Sequence, residues 1–409
     1  MTAPLVSVVV LNRDRIRSLA RTLIALKHQS LRGFEVVVVS NQTETIKREI
    51  PQIADTTLVS LAEANISRAR NLGVAAAHGQ IIAFCDDDAV PEPTWLERLV
   101  EPFQDADTGA AGGLVRGRNG VSVQWGFQEV DGFGNDWPVP ASGAAFFGAP
   151  TPGRVLKTVG TNCAFRRAAL AAIGGFDEAY RFFLEETDAN WRLAAAGWQI
   201  AGVPAAEVHH GYGPSALRTS ERIPRSLHEI GASKVYFCRS HGEAGRITEE
   251  LDGFRDDQRR RLTRAVLLGL LPPTAVSSLL TTLEAGYIAG ARRTAQLPKD
   301  LQCPRSEARP YATGPKPDSF LLAHVGVFRR RNRRAAAEAA RSGAQTVTLI
   351  ELDYTARPLT VRFTDDGYWH HRGGLLGQTG RSEPLVRLTD LRQRRPKEIA
   401  RVAAQRGLE

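Results

Sequence analysis

The chain is poor in cysteine, and its cysteines are widely separated. Its 409 residues include four, with no CxxC spacing, which argues against a zinc site and against a disulfide framework. Long hydrophobic runs are also scarce. The apolar stretch 265–280 is shorter than the roughly 20 residues of a membrane-spanning helix and is interrupted by Pro272 and Pro273. We therefore predict no transmembrane segment and four buried, unpaired cysteines: Cys85, Cys163, Cys238 and Cys303.

No secretory leader is predicted, because the first 30 residues lack a charged segment followed by an uninterrupted apolar stretch. We therefore expect a cytoplasmic location. The formal net charge is +9, from 53 Lys and Arg against 44 Asp and Glu, and much of the excess is arginine beyond residue 254. This charge favours anionic partners such as phosphates, acidic lipid surfaces or nucleic acid, and does not choose among them.

The first 88 residues have the pattern of a doubly wound α/β fold. The predicted elements are a strand at 5–11, a helix at 16–29, a strand at 34–39, a helix at 62–78 and a strand at 81–85. Strands that alternate with helices in this way build parallel sheets. We therefore expect an α/β protein with helices on both faces of its sheet.

Further along the chain the periodicity is weaker. Segment 110–160 is rich in Gly, Pro and aromatic residues and is predicted as loops and short strands, followed by helices at 166–173 and 188–196. Segment 245–295 is helical and Arg-rich, and it either packs on its own protein or docks on a membrane surface.

A small C-terminal α/β module is predicted. Its elements are a strand at 320–327, a helix at 329–341, a strand at 346–352 and a hairpin across 359–371. The role of this module is not predicted, and its turn histidines, His370 and His371, are expected to be exposed. The predicted units are a first domain at 1–243, a helical segment at 244–300, a linker at 301–318 and the module at 319–409.

Three consecutive carboxylates, Asp86, Asp87 and Asp88, follow directly after the apolar run 81–85. A buried strand would place them at its carboxyl end, where open α/β sheets bind ligands. Hard carboxylate oxygens suit Mg²⁺ or Mn²⁺, which keep positions open for substrate phosphates. The pattern indicates a metal-held diphosphate substrate, and the alternative is a solvated acidic turn.

The neighbours of these acids resemble family 2 glycosyltransferases. Residues 65–89, NISRARNLGVAAAHGQIIAFCDDDA, are similar to the donor-site segment of that family, with its DxD motif. Residues 160–192, GTNCAFRRAALAAIGGFDEAYRFFLEETDANWR, are similar to its acceptor-side segment, and residues 6–29 to its opening strand and helix. The resemblance covers about residues 5–242. It implies a GT-A-type doubly wound mixed sheet and sugar transfer with inversion from a nucleotide sugar.

The resemblance also implies roles on the donor side. Asp88 would be the metal ligand, with Asp86 and Asp87 directed towards the nucleotide ribose and the ion. The ion would be Mn²⁺ or Mg²⁺. Arg70 occupies the place of a donor-site arginine, and its planar guanidinium suits phosphate oxygens. His209 and His210 lie where family members often carry a histidine near the metal, and we favour His210.

On the acceptor side, Glu186 occupies the place of the general base in the family's ED motif. The usual aspartate is a glutamate here, so Glu185 and Asp188 remain candidates. An acidic first turn that caps a helix would also explain these residues.

The remaining predictions concern the base and the acceptor. The residues after the first and second strands depart from the family pattern, so either Asp14 or Asn41 is expected to bond the nucleotide base. Asn162, Trp125 and Trp137 are predicted to contact the acceptor.

We therefore predict a metal-dependent glycosyltransferase of the hexosyl- or deoxyhexosyltransferase type. Its donor would carry UDP, dTDP or GDP, and its acceptor would be a glycan, a glycolipid or another hydroxyl group in cell-envelope or polysaccharide biosynthesis. Peripheral contact with the inner membrane surface is a further option, and no nucleic acid partner is expected. The alternatives are a sugar-phosphate nucleotidyltransferase, and a non-enzymatic basic protein that binds RNA or an anionic polymer.

Overall fold

A ten-stranded mixed β-sheet forms the centre of the protein. The computed structural model describes residues 6–141, 143–148, 152–211, 213, 216–298, 301, 303–304, 306–311, 318–325, 329–341, 345–380 and 383–407. The strands, in chain order, are β1 (Val6–Asn12), β2 (Glu35–Ser40), β3 (Thr57–Ser60), β4 (Ile81–Asp86), β5 (Ala89–Pro91), β6 (Thr108–Arg116), β7 (Val123–Trp125), β8 (Phe127–Asp131), β9 (Asp136–Val139), β10 (Phe146–Phe147), β11 (Arg154–Lys157), β12 (Asn162–Arg166), β13 (Gln199–His210), β14 (Asp318–Val325), β15 (Gln345–Asp353), β16 (Thr360–Phe363) and β17 (Trp369–Gly374).

Helices cover both faces of this sheet. The α-helices are α1 (Ile16–Lys27), α2 (Thr43–Glu49), α3 (Ile66–Ala76), α4 (Trp95–Val100), α5 (Arg167–Ala172), α6 (Glu185–Ala195), α7 (His228–His241), α8 (Ile247–Leu267), α9 (Thr274–Ala291), α10 (Arg329–Arg341), α11 (Leu391–Ala400) and α12 (Ala403–Arg406). Short 3₁₀ helices lie at Pro51–Asp55, Glu101–Gln104 and Ala244–Arg246.

The large sheet has the strand order β10-β13-β6-β12-β4-β1-β2-β3, with β5 beside β13 and β7 beside β6. Strands β1, β2, β3 and β4 are parallel, whereas β12 runs antiparallel to β4. Val8 and Val10 of β1 face the core beneath α1, and Val9 faces the core beneath α3. Burial on both faces explains the continuous Val and Ile runs. The predicted α/β class, with its mixed sheet, is confirmed.

The prediction of loops and short strands across 110–160 is wrong at β6. This nine-residue strand, TGAAGGLVR, lies between β13 and β12 in the middle of the sheet. It carries few β-branched residues because its neighbours leave little room. A Cβ atom at Gly113 would lie 2.1 Å from the Ala206 carbonyl oxygen. Close approach of another backbone explains why glycine is found within this strand.

The helical segment packs on the first domain through α7 and α9. Its core contains Leu262 of α8 and Leu279, Leu280 and Leu283 of α9. Gly286 brings α9 against the α7 backbone, since a Cβ there would lie 2.1 Å from the His228 carbonyl oxygen. The prediction of a helical segment is therefore confirmed. Among the described residues, none of the helices combines the length and apolar composition needed to cross a bilayer.

The C-terminal module forms a separate four-stranded sheet, in the order β14-β15-β17-β16. The predicted hairpin is present as the antiparallel pair β16 and β17, and Gly367 in its turn has a φ of +85°. Residues 326–327 of the predicted strand 320–327, and residues 302, 305 and 312–317 of the predicted linker, lie outside the described residues.

Two exposure predictions need correction. His371 was expected at the surface, but it is fully buried because Arg406 packs against its Nε2 at 2.7 Å. Cys303 was expected in the interior but is exposed, whereas Cys85, Cys163 and Cys238 are buried. In both cases the outcome depends on contacts between segments that are distant along the chain.

A buried ion pair joins the C-terminal module to the large sheet. Arg406 of α12 contacts both carboxylate oxygens of Glu92 at 2.8 Å, and neither side chain is more than 2% exposed. The guanidinium also lies 4.1 Å from the centre of the Trp369 ring. Glu92 in turn accepts a contact from His209 Nε2 at 2.8 Å. The end of the chain is therefore part of the structure that surrounds β5 and β13.

We predict that Arg406→Met destabilises the protein by about 3–5 kcal/mol, because the substitution leaves Glu92 buried without its cation. Urea denaturation followed by fluorescence measures the change. The control is Arg334→Met, which removes an exposed i,i+4 pair with Glu338 and should cost less than about 0.5 kcal/mol. Equal stability of Arg406→Met and the wild type would contradict the assigned role of the pair.

Candidate active site

Polar residues gather at the carboxyl ends of β1, β2 and β4. The register pairs Leu11 with Asp86 and Asn12 with Ser40, so the segments that follow these strands start at the same edge of the sheet. Asp86 ends β4, and Asp87 and Asp88 form the turn into β5. Asp87 is fully buried and Asp88 is 7% exposed. The alternative of a solvated acidic turn is therefore wrong for these two residues.

Asp87 is held by residues that follow β1. Arg15 contacts its two carboxylate oxygens, with Nη2 at 2.5 Å and Nε at 3.2 Å. Asn12 Nδ2 donates to Asp87 at 2.7 Å, and Asn12 Oδ1 accepts from the Ser40 hydroxyl at 2.8 Å. Asp87 is therefore an internal acceptor that ties the ends of β1, β2 and β4 together.

Asp86, Asp88 and His210 form a group that could hold a metal ion, since one ligand atom from each lies within 4.8 Å of the others. His210 Nε2 is 3.4 Å from Asp88 Oδ1 and 4.0 Å from Asp86 Oδ2. The antiparallel pairing of Ala89 with His210 brings the histidine to the acids. On the other side of the ring, Nδ1 lies 3.1 Å from Gln124 Oε1.

This arrangement fits a divalent cation. Two carboxylates and an imidazole are suitable ligands for Mn²⁺ or Mg²⁺, although the imidazole suits manganese better. The Gln124 contact favours a proton on Nδ1, so that Nε2 would be the ligand atom when a cation is bound. Asp87 is the member of the acidic trio that the structure keeps out of this group.

The two buried aspartates, Asp87 and Asp88, have pKa values shifted in opposite directions. Burial raises the pKa of Asp87 to about 8, and Arg15 and Asn12 act against the rise. Burial also acts to raise the pKa of Asp88, but His210, Arg15 and the Gly213 amide outweigh it and lower that pKa to about 2. Asp88 is therefore an anion at neutral pH, as a metal ligand must be.

Asp14 and Asn41, the two residues predicted as alternatives for the nucleotide base, lie together. Asp14 has a left-handed backbone with a φ of 60°, and its Oδ1 accepts from Asn41 Nδ2 at 2.9 Å and from Gln42 Nε2 at 3.1 Å. Asp14 is exposed and Asn41 is half-buried, and both lie beside Asn12 and Ser40 at the ends of β1 and β2. A nucleotide base at this edge would therefore meet both side chains.

Arg70 is almost fully buried, with 1% exposure. Its guanidinium lies 4.8 Å from the centre of the Phe84 ring and 5.5 Å from that of Phe176. Nη2 contacts Glu185 Oε1 and the Gly160 carbonyl oxygen, both at 3.3 Å. The structure thus places Arg70 behind the acceptor-side acids, and its described contacts differ from those of an arginine open to a donor phosphate.

The acidic start of α6 follows an unusual turn. Phe183 and Leu184 both have left-handed backbones, with φ values of 73° and 69°, which are costly for non-glycine residues. The turn directs Glu185 inwards to Arg70 and leaves Glu186 partly exposed. Asp188 is buried and contacts Arg192 at 2.6 Å and His241 at 2.8 Å. Of the three candidate bases, Glu186 alone combines partial exposure with the absence of a salt bridge among the described residues.

Glu185 and Glu186 influence each other. Burial and the neighbouring Glu186 carboxylate raise the pKa of Glu185 to about 8, while Arg70 acts in the opposite direction through a single long contact. Glu185 therefore holds a proton in the folded protein at neutral pH.

The residues predicted for the acceptor are widely separated. Trp125 lies beside the metal-site group, with its ring centre 5.4 Å from that of His210. Trp137 is 43% exposed on β9, and Arg154 covers its ring at 3.7 Å. Asn162 is fully buried, accepts from Trp95 Nε1 at 2.7 Å and donates to the Leu114 and Ala206 carbonyls. Because these bonds occupy its amide, Asn162 is a structural residue, which corrects its assignment to the acceptor.

Sequence reasoning did not assign roles to Asn12, Arg15, Ser40 or Gln124. The first three follow strands of the doubly wound sheet, and this position was a usable signal. Gln124 carried no such signal, because its contact with His210 joins residues 86 positions apart.

Together, the fold and the site define an α/β enzyme with an acidic, cation-compatible centre at the carboxyl end of its sheet. Residues 7–174 match the family model described as glycosyl transferase family 2. The matched segment contains the acidic trio Asp86, Asp87 and Asp88 and is similar to glycosyltransferases of that family.

The chain also resembles named proteins. It is 29% identical over 239 residues to the O-antigen biosynthesis protein RfbC of Myxococcus xanthus, covering 54% of this chain and 18% of that protein. It is 29% identical over 182 residues to the glucosyl-dolichyl phosphate glucuronosyltransferase of Haloferax volcanii, covering 42% of this chain and 56% of that protein. The chain thus spans about half or less of these relatives.

Solved structures show a looser similarity. The mannosyltransferase PcManGT of Pyrobaculum calidifontis, solved with GDP-Man and Mn²⁺, has a TM-score of 0.42 and 15% identity. The match covers 71% of this chain and 88% of that one. GalNAc-T7, solved with UDP, GalNAc and Mn²⁺, has a TM-score of 0.46 and 16% identity, with 70% and 55% coverage.

We predict that Glu185→Gln removes a pH dependence of stability. A raised folded-state pKa means that the stabilising contribution of Glu185 is complete below about pH 4.5 and is lost as the pH rises through about 8. Across this window the wild type should lose on the order of 4–5 kcal/mol more than the variant. Urea denaturation at several pH values measures the difference.

The readout is the dependence on pH, because the amide of this variant can still accept from Arg70 through its Oε1 but cannot ionise. The control is Glu243→Gln at an exposed position, which should have the same pH profile as the wild type. Identical profiles for Glu185→Gln and the wild type would contradict a protonated Glu185.

Proposed function

We propose that this protein is a metal-dependent, inverting glycosyltransferase that moves a sugar from a nucleotide-sugar donor to an acceptor hydroxyl group. One observation carries the proposal: the group Asp86, Asp88 and His210 lies at the same end of the sheet as Glu186. Burial acts to lower the pKa of Arg70, and the nearby carboxylates, which include Glu185, Glu186 and Asp86, reverse this effect and raise it. The cation site and the acidic turn therefore adjoin the same buried arginine.

On the donor side, Asp14 and Asn41 would bond the nucleotide base, and Asp86 would face both the ribose and the ion. A divalent cation held by Asp86, Asp88 and His210, Mn²⁺ or Mg²⁺, would neutralise the charge that develops on the departing diphosphate. Arg15, which contacts both Asp87 and Asp88, supports the carboxylates in this position. Arg70 would hold Glu185 in position and would not contact the donor phosphates.

On the acceptor side, the Glu186 carboxylate would accept the proton of the attacking hydroxyl group. The hydroxyl oxygen forms a bond to the anomeric carbon from the side opposite the diphosphate. The bond from that carbon to the diphosphate oxygen breaks, and the nucleoside diphosphate leaves with the electron pair. A positioned carboxylate contributes about 10²- to 10⁴-fold to such a step. Direct displacement inverts the configuration of the sugar.

We propose that the acceptor is a glycan or a lipid-linked sugar. The enzyme would transfer the donor sugar to it at the cytoplasmic face of a membrane. The name of the Haloferax volcanii relative includes a sugar on dolichyl phosphate, and that of the Myxococcus xanthus relative includes O-antigen biosynthesis. Both support a role in cell-envelope or polysaccharide synthesis. The donor class is a UDP, dTDP or GDP hexose or deoxyhexose.

We predict that one of UDP, dTDP and GDP raises the melting temperature of the protein only when Mn²⁺ is present, since ligands that bind the folded state stabilise it. Asp88→Asn and His210→Gln should each abolish the metal-dependent part of the shift, because each removes a ligand. Differential scanning fluorimetry measures both effects.

The controls are Asp107→Asn and His228→Gln, which change an exposed aspartate and a half-buried histidine away from the metal-site group and should retain the full shift. An absence of any nucleotide effect in the wild type, together with salt-sensitive RNA binding, would favour the basic binding protein instead.

We predict that Glu186→Gln lowers the transfer rate by about 10²- to 10⁴-fold while the Mn²⁺-dependent nucleotide shift is unchanged, because the amide cannot accept the proton. Nucleotide release from a panel of donors measures the rate. The matched variant Asp188→Asn alters a carboxylate paired with Arg192 and His241, so its loss of activity should follow its loss of stability. Wild-type turnover by Glu186→Gln would remove Glu186 from the role of base.

A further inference from the structure

The tip of the α8–α9 hairpin exposes a cluster of leucines. Leu267 is 81% exposed, Leu268 is 63% exposed and Leu270 is 44% exposed, and all three lie in or directly after the last turn of α8. Contiguous exposed apolar groups of this kind mark interaction sites on soluble domains. We call these three residues the leucine tip.

The hairpin does not need the leucine tip for its own packing. Leu271 and Val276, which lie next to it in the chain, pack against the core formed by Leu262, Leu279 and Leu283. The hairpin therefore has enough inward-facing apolar residues to hold its helices together. The leucine tip faces away from that core, and solvent exposure of its side chains adds nothing to the stability of the hairpin.

The charge around the leucine tip has one sign. Segment 258–283 contains four arginines and no acidic residue. Arg259 and Arg260 pair with aspartates of the preceding turn. Arg261 and Arg264 are exposed, and neither has an ion pair among the described residues. Arg264 lies one helical turn before Leu267 and Leu268, so its guanidinium borders the leucine tip.

Arginines also connect the hairpin with the active site. Arg261 and Arg222 lie close enough to Arg218 that, together with its burial, they lower the pKa of Arg218 to about 10. Arg222 lies over the Trp125 ring at 5.5 Å, and that ring lies 5.4 Å from the ring of His210. The cationic face of the hairpin thus continues to the entrance of the metal-site group.

We propose that the α8–α9 hairpin docks on an anionic lipid bilayer, with the leucine tip inserted among the acyl chains and Arg261 and Arg264 on the lipid phosphates. Apolar residues bordered by arginines are the composition by which helices bind in the interface of such membranes. In the docked orientation, Arg261, Arg218 and Arg222 lie towards the lipid head groups, and so does the active site beside Arg222. This inference deepens the proposed function, and rests on it only in placing a lipid-linked acceptor at the membrane.

Flotation with vesicles tests the proposal. The full-length protein should float with vesicles of phosphatidylcholine and phosphatidylglycerol, and binding should weaken with salt. Leu267→Ser/Leu268→Ser/Leu270→Ser should weaken binding by at least about tenfold. Arg261→Gln/Arg264→Gln should weaken binding to the mixed vesicles about tenfold and reduce its salt dependence.

The control is Leu385→Ser/Leu388→Ser, which changes leucines that are 74% and 88% exposed but lie outside the hairpin, beside Arg387 and between Glu383 and Asp390. It should bind like the wild type. The nucleotide and Mn²⁺ melting shift, measured on every variant, reports the active site separately, so docking and catalysis can fail independently.

Three results would overturn the proposal: no flotation of the wild type, equal flotation of the leucine-tip variant, or a wild-type dimer that the leucine-tip substitutions convert to a monomer. Light scattering after size-exclusion chromatography detects the last of these, which would identify the tip as a contact between copies of the chain.

Discussion

The repulsion among carboxylates at the carboxyl end of the large sheet is the constraint around which the site is arranged. Asp87 and Asp88 are buried side by side, and like charges in such a setting are stable only with cations or protons among them. The protein uses both solutions. Arg15 bridges Asp87 and Asp88. At the start of α6, Glu185 faces Arg70 and retains a proton, so the repulsion with Glu186 is reduced. What remains is a carboxylate pair with a histidine beside it, which is a composition suited to a divalent cation.

Two neighbouring histidines connect this site with the far end of the chain. Successive side chains of a strand point to opposite faces, so His210 faces the acids while His209 faces Glu92. Glu92 is held by Arg406, and the ring of His209 packs against that of Trp369 at 4.8 Å. The C-terminal module therefore covers the reverse side of the strand that presents the histidine. Its sheet is separate, but its contacts hold β13 in the position that the site requires.

The elements with strong periodicity were predictable from the sequence. Strands β1, β2 and β4, helices α1 and α10, and the hairpin of the module all lie within a few residues of their predictions, because their apolar patterns reflect local geometry. Strand β6 was not predicted. Its Gly and Ala residues are small because Asn162 and Ala206 leave no room for larger side chains, and both of these residues are distant in sequence. Contacts between distant segments also explain why the burial of His371 and the structural role of Asn162 were not predicted. Their environments are built by residues that no local pattern reveals.

The sequence by itself determined the α/β class, the location of the acidic trio after a buried strand, and the acidic first turn of α6, because each depends on neighbours within one or two turns of chain. Only the tertiary structure decided the surroundings of each acid. It turned Asp87 inwards to Arg15, brought His210 to Asp88 across 122 positions of sequence, and left Glu186 as the accessible member of its pair. The physical reason is that burial and ion pairing set the charge of a carboxyl group, and both depend on contacts between strands and helices that meet only when the chain folds.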